Sequence, residues 1–237
     1  MDPVFLADKN PELFPDPKKY DDNGLVALSR SLGTSRLIAA YRQGIFPWLK
    51  MAQAPNLWCW YSPNPRMLLY PEDFKIPRSL AQSIKRKDFD IRVDYNFAGI
   101  MRACASIKRP NQESTWIEPE METDYGLLHQ QGIAHSIEAY CKNELVGGLY
   151  GLAIGRAFFG ESMFHKRPEA SKTCIHYLTE IARNQGVRFI DCQVPNPFLR
   201  SLGAREVSRG LFLSQLKEAN PYKKSTINWN DLAKNIP

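Results

Sequence analysis

Leu145–Phe164, LVGGLYGLAIGRAFFGESMF, followed by a helix-forming run from Ala170 and by IDCQV at Ile190–Val194, decides the fold. It reads as two short strands around a Gly155-Arg156 turn, a polar turn, a helix opening at Ala170-Ser171-Lys172, and one more strand. Gly147, Gly148, Gly151 and Gly160 would weaken ordinary strands, so they belong where another backbone or a ligand comes close. Side chains two apart in a strand share a face, which groups Asp191 with Gln193 and turns Cys192 the other way. A carboxylate and an amide on an otherwise apolar strand need a partner or a task.

Working outward, HSIEAYC and a tight turn at Lys142-Asn143-Glu144 pair with LVGGLYGLAI as a hairpin. FDIRVDY alternates as a strand, and FAGIMRACASI is a helix with Phe97, Ile100, Met101 and Cys104 inward. Pro119 opens a further helix that Gly132 closes, and Gly186 ends the helix begun at Ala170. Beyond it come a loop with a short helical turn, a strand VSRGLFL, a final helix and the weakly patterned stretch PYKKSTINWNDLAKNIP. The order hairpin, third strand, helix, fourth strand is an α+β layer arrangement similar to acetyltransferase-like folds.

Nearer the N-terminus, Met67–Tyr70 is a strand and PRSLAQSIKRK a basic helix. Residues 1–24 form an extended lead-in that docks through Phe14 and Tyr20 without a regular element. Thr34 or Ser35 caps a helix whose Leu37, Ile38, Ala40 and Tyr41 share a face, with Gly44 at its end. Phe46, Trp48, Trp58, Trp60 and Tyr61 then crowd between prolines 47, 55, 63 and 65, which prevent a long regular element. Most of these rings make a small aromatic core, and one or two are available to line a pocket. The organisation expected is a small aromatic and Pro-rich domain at 1–65 and a larger domain at 66–237.

Composition sets limits on function. A chain of 237 residues that is 43% hydrophobic builds a sizeable core. The formal charge of +6 favours an anionic partner without the charge density of a packaging protein. Five cysteines, odd in number and with no CxxC pair, indicate neither a disulfide framework nor a zinc ribbon and suit reduced thiols in the cytoplasm. No continuous apolar run suggests a leader or a membrane span. His129, His135, His165 and His176 lack the spacing of a metal site.

GIFPW at 44–48, WYSPNPR at 60–66, STWI at 114–117, HSIE at 135–138, FFGESMF at 158–164, ASK at 170–172, IDCQ at 190–193 and SLGA at 201–204 are motifs with a fixed order and spacing. Together with LVGGLYG at 145–151 they resemble the bacterial leucyl/phenylalanyl-tRNA-protein transferase family over roughly Phe14 to Leu216. The resemblance implies a small N-terminal domain joined to a GNAT (acetyltransferase-like) domain with a mixed, mostly antiparallel sheet. It implies transfer of Leu or Phe, with Met left open as a further donor, from aminoacyl-tRNA to the N-terminal Lys or Arg of acceptor proteins. The product is a substrate of the N-end rule degradation pathway. It implies neither metal nor small organic cofactor; a monomer and no membrane partner are expected, with oligomeric state left open by the sequence.

By the same resemblance Asp191, Gln193 and Glu161 form the reacting centre. Gln193 hydrogen-bonds the acceptor amine and Glu161 orients the aminoacyl adenosine or the amine. Asp191 polarises the Gln193 contact or takes the proton, or else pairs with the cationic acceptor side chain. Leu149, Phe158 and Met163 are expected walls of an apolar cavity, each equally at home in a core. Trp48 and Trp116 suit the terminal adenosine or the esterified side chain. Ser171 and Lys172 open a helix, the usual place for phosphate or carboxylate. Lys85, Arg86, Lys87, Lys166 and Arg167 either follow the acceptor-stem backbone or are solvated faces.

Two departures from the family pattern stand out: Ser29-Arg30-Ser31 where members usually read Gly-Gly-Asp, and Phe198 where a His is common. Two other functions compete. An acyl-CoA-dependent N-acyltransferase would use the same layers, yet FHKRPEASK has no glycine to cradle a pyrophosphate. A non-catalytic tRNA-binding module rests on charge and aromatics alone and leaves the three polar residues without a purpose.

Overall fold

Segments rich in β-branched and aromatic side chains give two sheets, one of four strands and one of seven. The computed structural model describes residues 1–7, 9–10, 12–51, 54–107, 117–219 and 222. The first sheet comprises β1 (Val4–Phe5), β2 (Leu25–Ser29), β3 (Phe46–Met51) and β4 (Ala54–Tyr61), with α1 (Thr34–Arg42) between β2 and β3. The lead-in therefore does contribute a regular element, since β1 runs parallel to β2, and it also docks through buried Phe14 and Tyr20. Nor do the prolines prevent strands. Pro47 sits in the edge strand β3 beside a register shift, where a missing N–H breaks no inner ladder.

The helix α1 is not capped by Thr34 or Ser35. Gly33 takes the capping position at φ 75°, and two carboxylates from a later helix satisfy the free N–H groups: Leu32 donates to Glu120 and Gly33 to Asp124, each at 2.8 Å. That later helix is α4 (Pro119–Gln130), which follows β5 (Arg66–Leu69), α2 (Arg78–Arg86), β6 (Asp90–Val93) and α3 (Phe97–Ser106).

Then come β7 (Ala134–Cys141), β8 (Glu144–Ile154), β9 (Ala157–His165), α5 (Ala170–Asn184) and β10 (Phe189–Asp191). Lys142 and Asn143, at φ 51° and 64°, make the tight β7–β8 turn. The strands read as short are long, eleven residues in β8 and nine in β9. The chain closes with α6 (Pro197–Ser201), β11 (Arg205–Val207) and α7 (Arg209–Glu218). VSRGLFL is thus not a strand: Ser208 accepts the Leu211 N–H and starts α7, so helix capping overrides the apolar run.

In the seven-stranded sheet the ladders β6–β7–β8–β9 are antiparallel, and β10 alone runs parallel, to β9, after the crossover through α5. This is the mixed, mostly antiparallel α+β sheet expected from the sequence. Each face carries a core. Leu149, Phe158 and Met163 pack with Cys174, Ile175 and Leu178 of α5, whereas Tyr150 and Phe159 pack with α1, α3 and α4. Gly147 permits the first of these contacts, because a side chain there would meet Ala170 Cβ at 2.6 Å.

Candidate active site

Parallel strands that part company leave a crevice at their carboxyl ends. β9 and β10 pair only as far as Phe159 opposite Asp191; β9 then runs on through Glu161 while the other chain turns away at Cys192 and Gln193. A cavity of about 510 Å³ opens there. Its apolar walls include Leu149, Phe158, Met163, Ile175 and Leu178, with Trp48 at one side. Glu161, Gln193, Ser162, Asn196 and Cys192 supply its polar surface.

A β-bulge makes this arrangement possible. Tyr150 pairs with Ser162 and Gly151 with Gly160, so Glu161 is the extra residue. In an unbroken strand Phe158 and Met163, five apart, would face opposite sides; the inserted residue puts both in the same wall. Glu161, two residues after Phe159, keeps that residue's side and faces the other core. Gly151 is needed opposite the bulge, since a Cβ there would lie 2.1 Å from the Phe159 carbonyl oxygen.

Two buried anchors hold Gln193. Its backbone is left-handed at φ 65°, costly for a residue with a side chain, and its N–H donates to Asp191 Oδ1 at 2.8 Å. Asp191 is itself gripped by Arg66, Nε to Oδ1 at 2.9 Å and Nη2 to Oδ2 at 2.6 Å, and both side chains are fully buried. The second anchor is Glu161, whose Oε1 accepts from Gln193 Nε2 at 2.8 Å. With Nε2 so engaged, the amide Oε1 is the atom left to accept from a ligand. Asp191 does not line the cavity; it stands behind Gln193.

Glu161 also accepts from the hydroxyls of Tyr41 at 2.7 Å and Tyr125 at 3.0 Å. Burial pushes its carboxyl up to about 7; the two phenol donors pull it down, the charge of Asp191 raises it and that of Arg66 lowers it. Burial pushes the Cys192 thiol toward the neutral form, which works against it as a nucleophile. Among the described residues no group of His, Cys, Asp and Glu could hold a metal, and no helix is long and apolar enough to cross a membrane.

Of the residues singled out in the sequence, Glu161, Gln193, Trp48, Leu149, Phe158 and Met163 meet on this cavity. Trp116 lies outside the described residues. Ser171 is buried elsewhere, 3.3 Å from His165 Nδ1. The cations are spread over other surfaces: Arg86 forks onto Asp88, Lys172 pairs with Glu169 at 2.9 Å, Lys166 approaches Glu144 at 3.8 Å, and Arg167 contacts Cys141, while Lys85 and Lys87 are exposed at the end of α2. Arg66, Tyr41 and Tyr125 were not singled out. A charged residue opening the apolar strand RMLL was the available signal for Arg66; the tyrosines were hidden on apolar helix faces.

An apolar recess closed by a fixed amide and a carboxylate, with no activated nucleophile among the described residues, suits an α+β transferase that positions an already activated acyl group. Residues 68–217 match the family described as leucyl/phenylalanyl-tRNA protein transferase, and residues 30–64 match the N-terminal domain of the same family. A protein of Nitrosomonas eutropha named leucyl/phenylalanyl-tRNA--protein transferase is 47% identical over 210 residues, covering 89% of this chain and 88% of its own. The protein of that name from Dechloromonas aromatica is 47% identical over 207 residues, covering 86% and 87%. The chain belongs to this family. Among solved structures, a GCN5-related N-acetyltransferase from Kribbella flavida is similar at 13% identity and a TM-score of 0.38, covering 72% of this chain and 59% of that one, too loosely to carry an argument.

Proposed function

We propose that this protein transfers Leu or Phe from aminoacyl-tRNA to the N-terminal Lys or Arg of acceptor proteins. The observation that carries the reading is the cavity itself, an apolar recess of about 510 Å³ with the Gln193 amide fixed at its edge by two buried anchors. The recess takes the amino acid side chain, and Trp48 flanks the adenosine to which it is esterified. An aminoacyl ester needs no covalent enzyme intermediate. The protein has to hold its carbonyl against the amine and shed one proton.

In this reading Gln193 Oε1 accepts a hydrogen from the acceptor amine and aims its lone pair at the ester carbonyl. Asp191 acts through the Gln193 backbone and is a positioning residue, held in turn by Arg66. The exposed cations Lys85, Lys87 and Arg167 meet the phosphates of the acceptor stem, with Arg86, Lys166 and Lys172 less available because each already has a carboxylate partner. The unit at 1–65 and the catalytic unit at 66–237 act as one cytoplasmic monomer, and the modified acceptor enters N-end rule degradation.

The acyl-CoA reading is disfavoured by Glu169, which puts a carboxylate at the start of α5, where a pyrophosphate would have to sit. The test is to mix the purified protein with Phe-tRNA and a peptide beginning with Arg, then with one beginning with Gly. Product with the first alone supports the proposal. Acyl transfer from acetyl-CoA and none from Phe-tRNA would overturn it.

A further inference from the structure

At Glu161, three side chains close a ring of hydrogen bonds. The hydroxyls of Tyr41 and Tyr125 are 2.6 Å apart, and they lie 2.7 Å from Glu161 Oε1 and 3.0 Å from Glu161 Oε2 respectively. Each contact needs one hydrogen. When Glu161 is ionised the two phenols supply only two, both drawn to the carboxylate, and the contact between the tyrosines has none. A proton arriving on Glu161 supplies the third: Glu161 then donates to Tyr125, Tyr125 to Tyr41, and Tyr41 back to Glu161. The trio accommodates the extra proton without moving a heavy atom.

The surroundings suit that task. Tyr41 comes from α1, Tyr125 from α4 and Glu161 from the β9 bulge, so three elements fix the geometry, and both tyrosines are fully buried. The carboxylate between them borders the cavity. Other groups facing it are Gln193, which donates to Oε1, and the Arg66–Asp191 pair, whose two charges act on it in opposite directions. Tyr150 of β8 stands against Tyr125, ring centroids 6.0 Å apart.

Resting on the aminoacyl-transfer reading, we propose that Glu161 accepts the proton shed by the incoming amine, and that Tyr41 and Tyr125 are positioning residues that keep it ionised and ready. The N–C bond to the acyl carbon forms as the ester C–O bond breaks; the proton leaving nitrogen rests on Glu161 and returns to the departing ribose oxygen. Because the phenols favour the ionised carboxylate, removing either one makes Glu161 harder to ionise. A donor lost from a charged acceptor moves the titration by about one to two pH units.

The experiment is the pH dependence of kcat/KM for Phe transfer from Phe-tRNA to an Arg-peptide, in the unmodified protein, Tyr41→Phe, Tyr125→Phe and Glu161→Gln. The expected result is an acid limb displaced to higher pH in both tyrosine variants. Their rate should recover in alkaline buffer, and KM for Phe-tRNA should change by less than about threefold. Glu161→Gln should lose activity at all pH values, with the limb belonging to Glu161 absent. A uniform loss with an unmoved limb in the tyrosine variants, or a normal profile in Glu161→Gln, overturns the inference while leaving the transfer reaction intact. No product from the unmodified protein at any pH would instead sink the reaction itself.

Discussion

Arg66 forks onto Asp191 through two hydrogen bonds of 2.9 Å and 2.6 Å, and neither side chain is exposed. The guanidinium is also sandwiched between the rings of Phe46 and Phe212, at 4.7 Å and 4.4 Å. Removing one partner strands a buried charge, so Arg66→Met or Asp191→Asn alone should cost about 3–5 kcal/mol. The double variant Arg66→Met with Asp191→Leu should regain much of that stability, yet stay slow, because Gln193 loses its backbone anchor. Urea unfolding and kcat measured together check this, and a double variant with normal turnover would show that the anchor is dispensable.

Gln193 offers a cleaner separation of backbone from amide. Its φ of 65° suits glycine, so Gln193→Gly should fold with unchanged or slightly raised stability, by up to about 1 kcal/mol, while kcat falls by a hundredfold or more if the amide acts on the reacting nitrogen. Affinity for Phe-tRNA should hardly change. Equal losses in binding and rate would assign the amide to donor binding.

The bulge at Glu161 sets the shape of the recess by aligning Phe158 with Met163. Met163→Phe narrows it, and the larger donor should suffer more: kcat/KM for Phe-tRNA should drop roughly tenfold further than for Leu-tRNA. Parallel losses for the two donors would place the amino acid elsewhere.

Glu161 also leaves a mark on stability. Its folded carboxyl titrates at about 7, above the unfolded value, so the native state binds the extra proton between about pH 4.5 and 7. The contribution is therefore favourable at low pH and is lost as pH rises through the folded value. Compared with Glu161→Gln, the unmodified protein should lose on the order of 3 kcal/mol of relative stability across that window. A difference curve flat in pH, from thermal unfolding of both, would contradict the buried carboxylate.

The hairpin and the β9–α5–β10 run were legible because period-two patterns and glycine spacing are local. What was not legible arose from contacts between distant segments. A bulge in β9 has no signature in FFGESMF, and it decides which residues share a wall. Arg66 meets Asp191 from 125 positions away, and Tyr41 and Tyr125 meet Glu161 only after three elements pack, so their polar tips look like ordinary amphipathic core in the sequence. VSRGLFL misled for the opposite reason: its apolar residues suit a strand, but the Ser208 cap commits them to a helix.

Where the amino acid side chain goes decides the proposed reaction most directly. A crystal structure with a non-hydrolysable phenylalanyl-adenosine amide should show the phenyl ring between Leu149, Phe158 and Met163, with its acyl carbon within reach of an amine held by Gln193. A ring bound outside the recess, or an acyl carbon remote from Gln193, would contradict it.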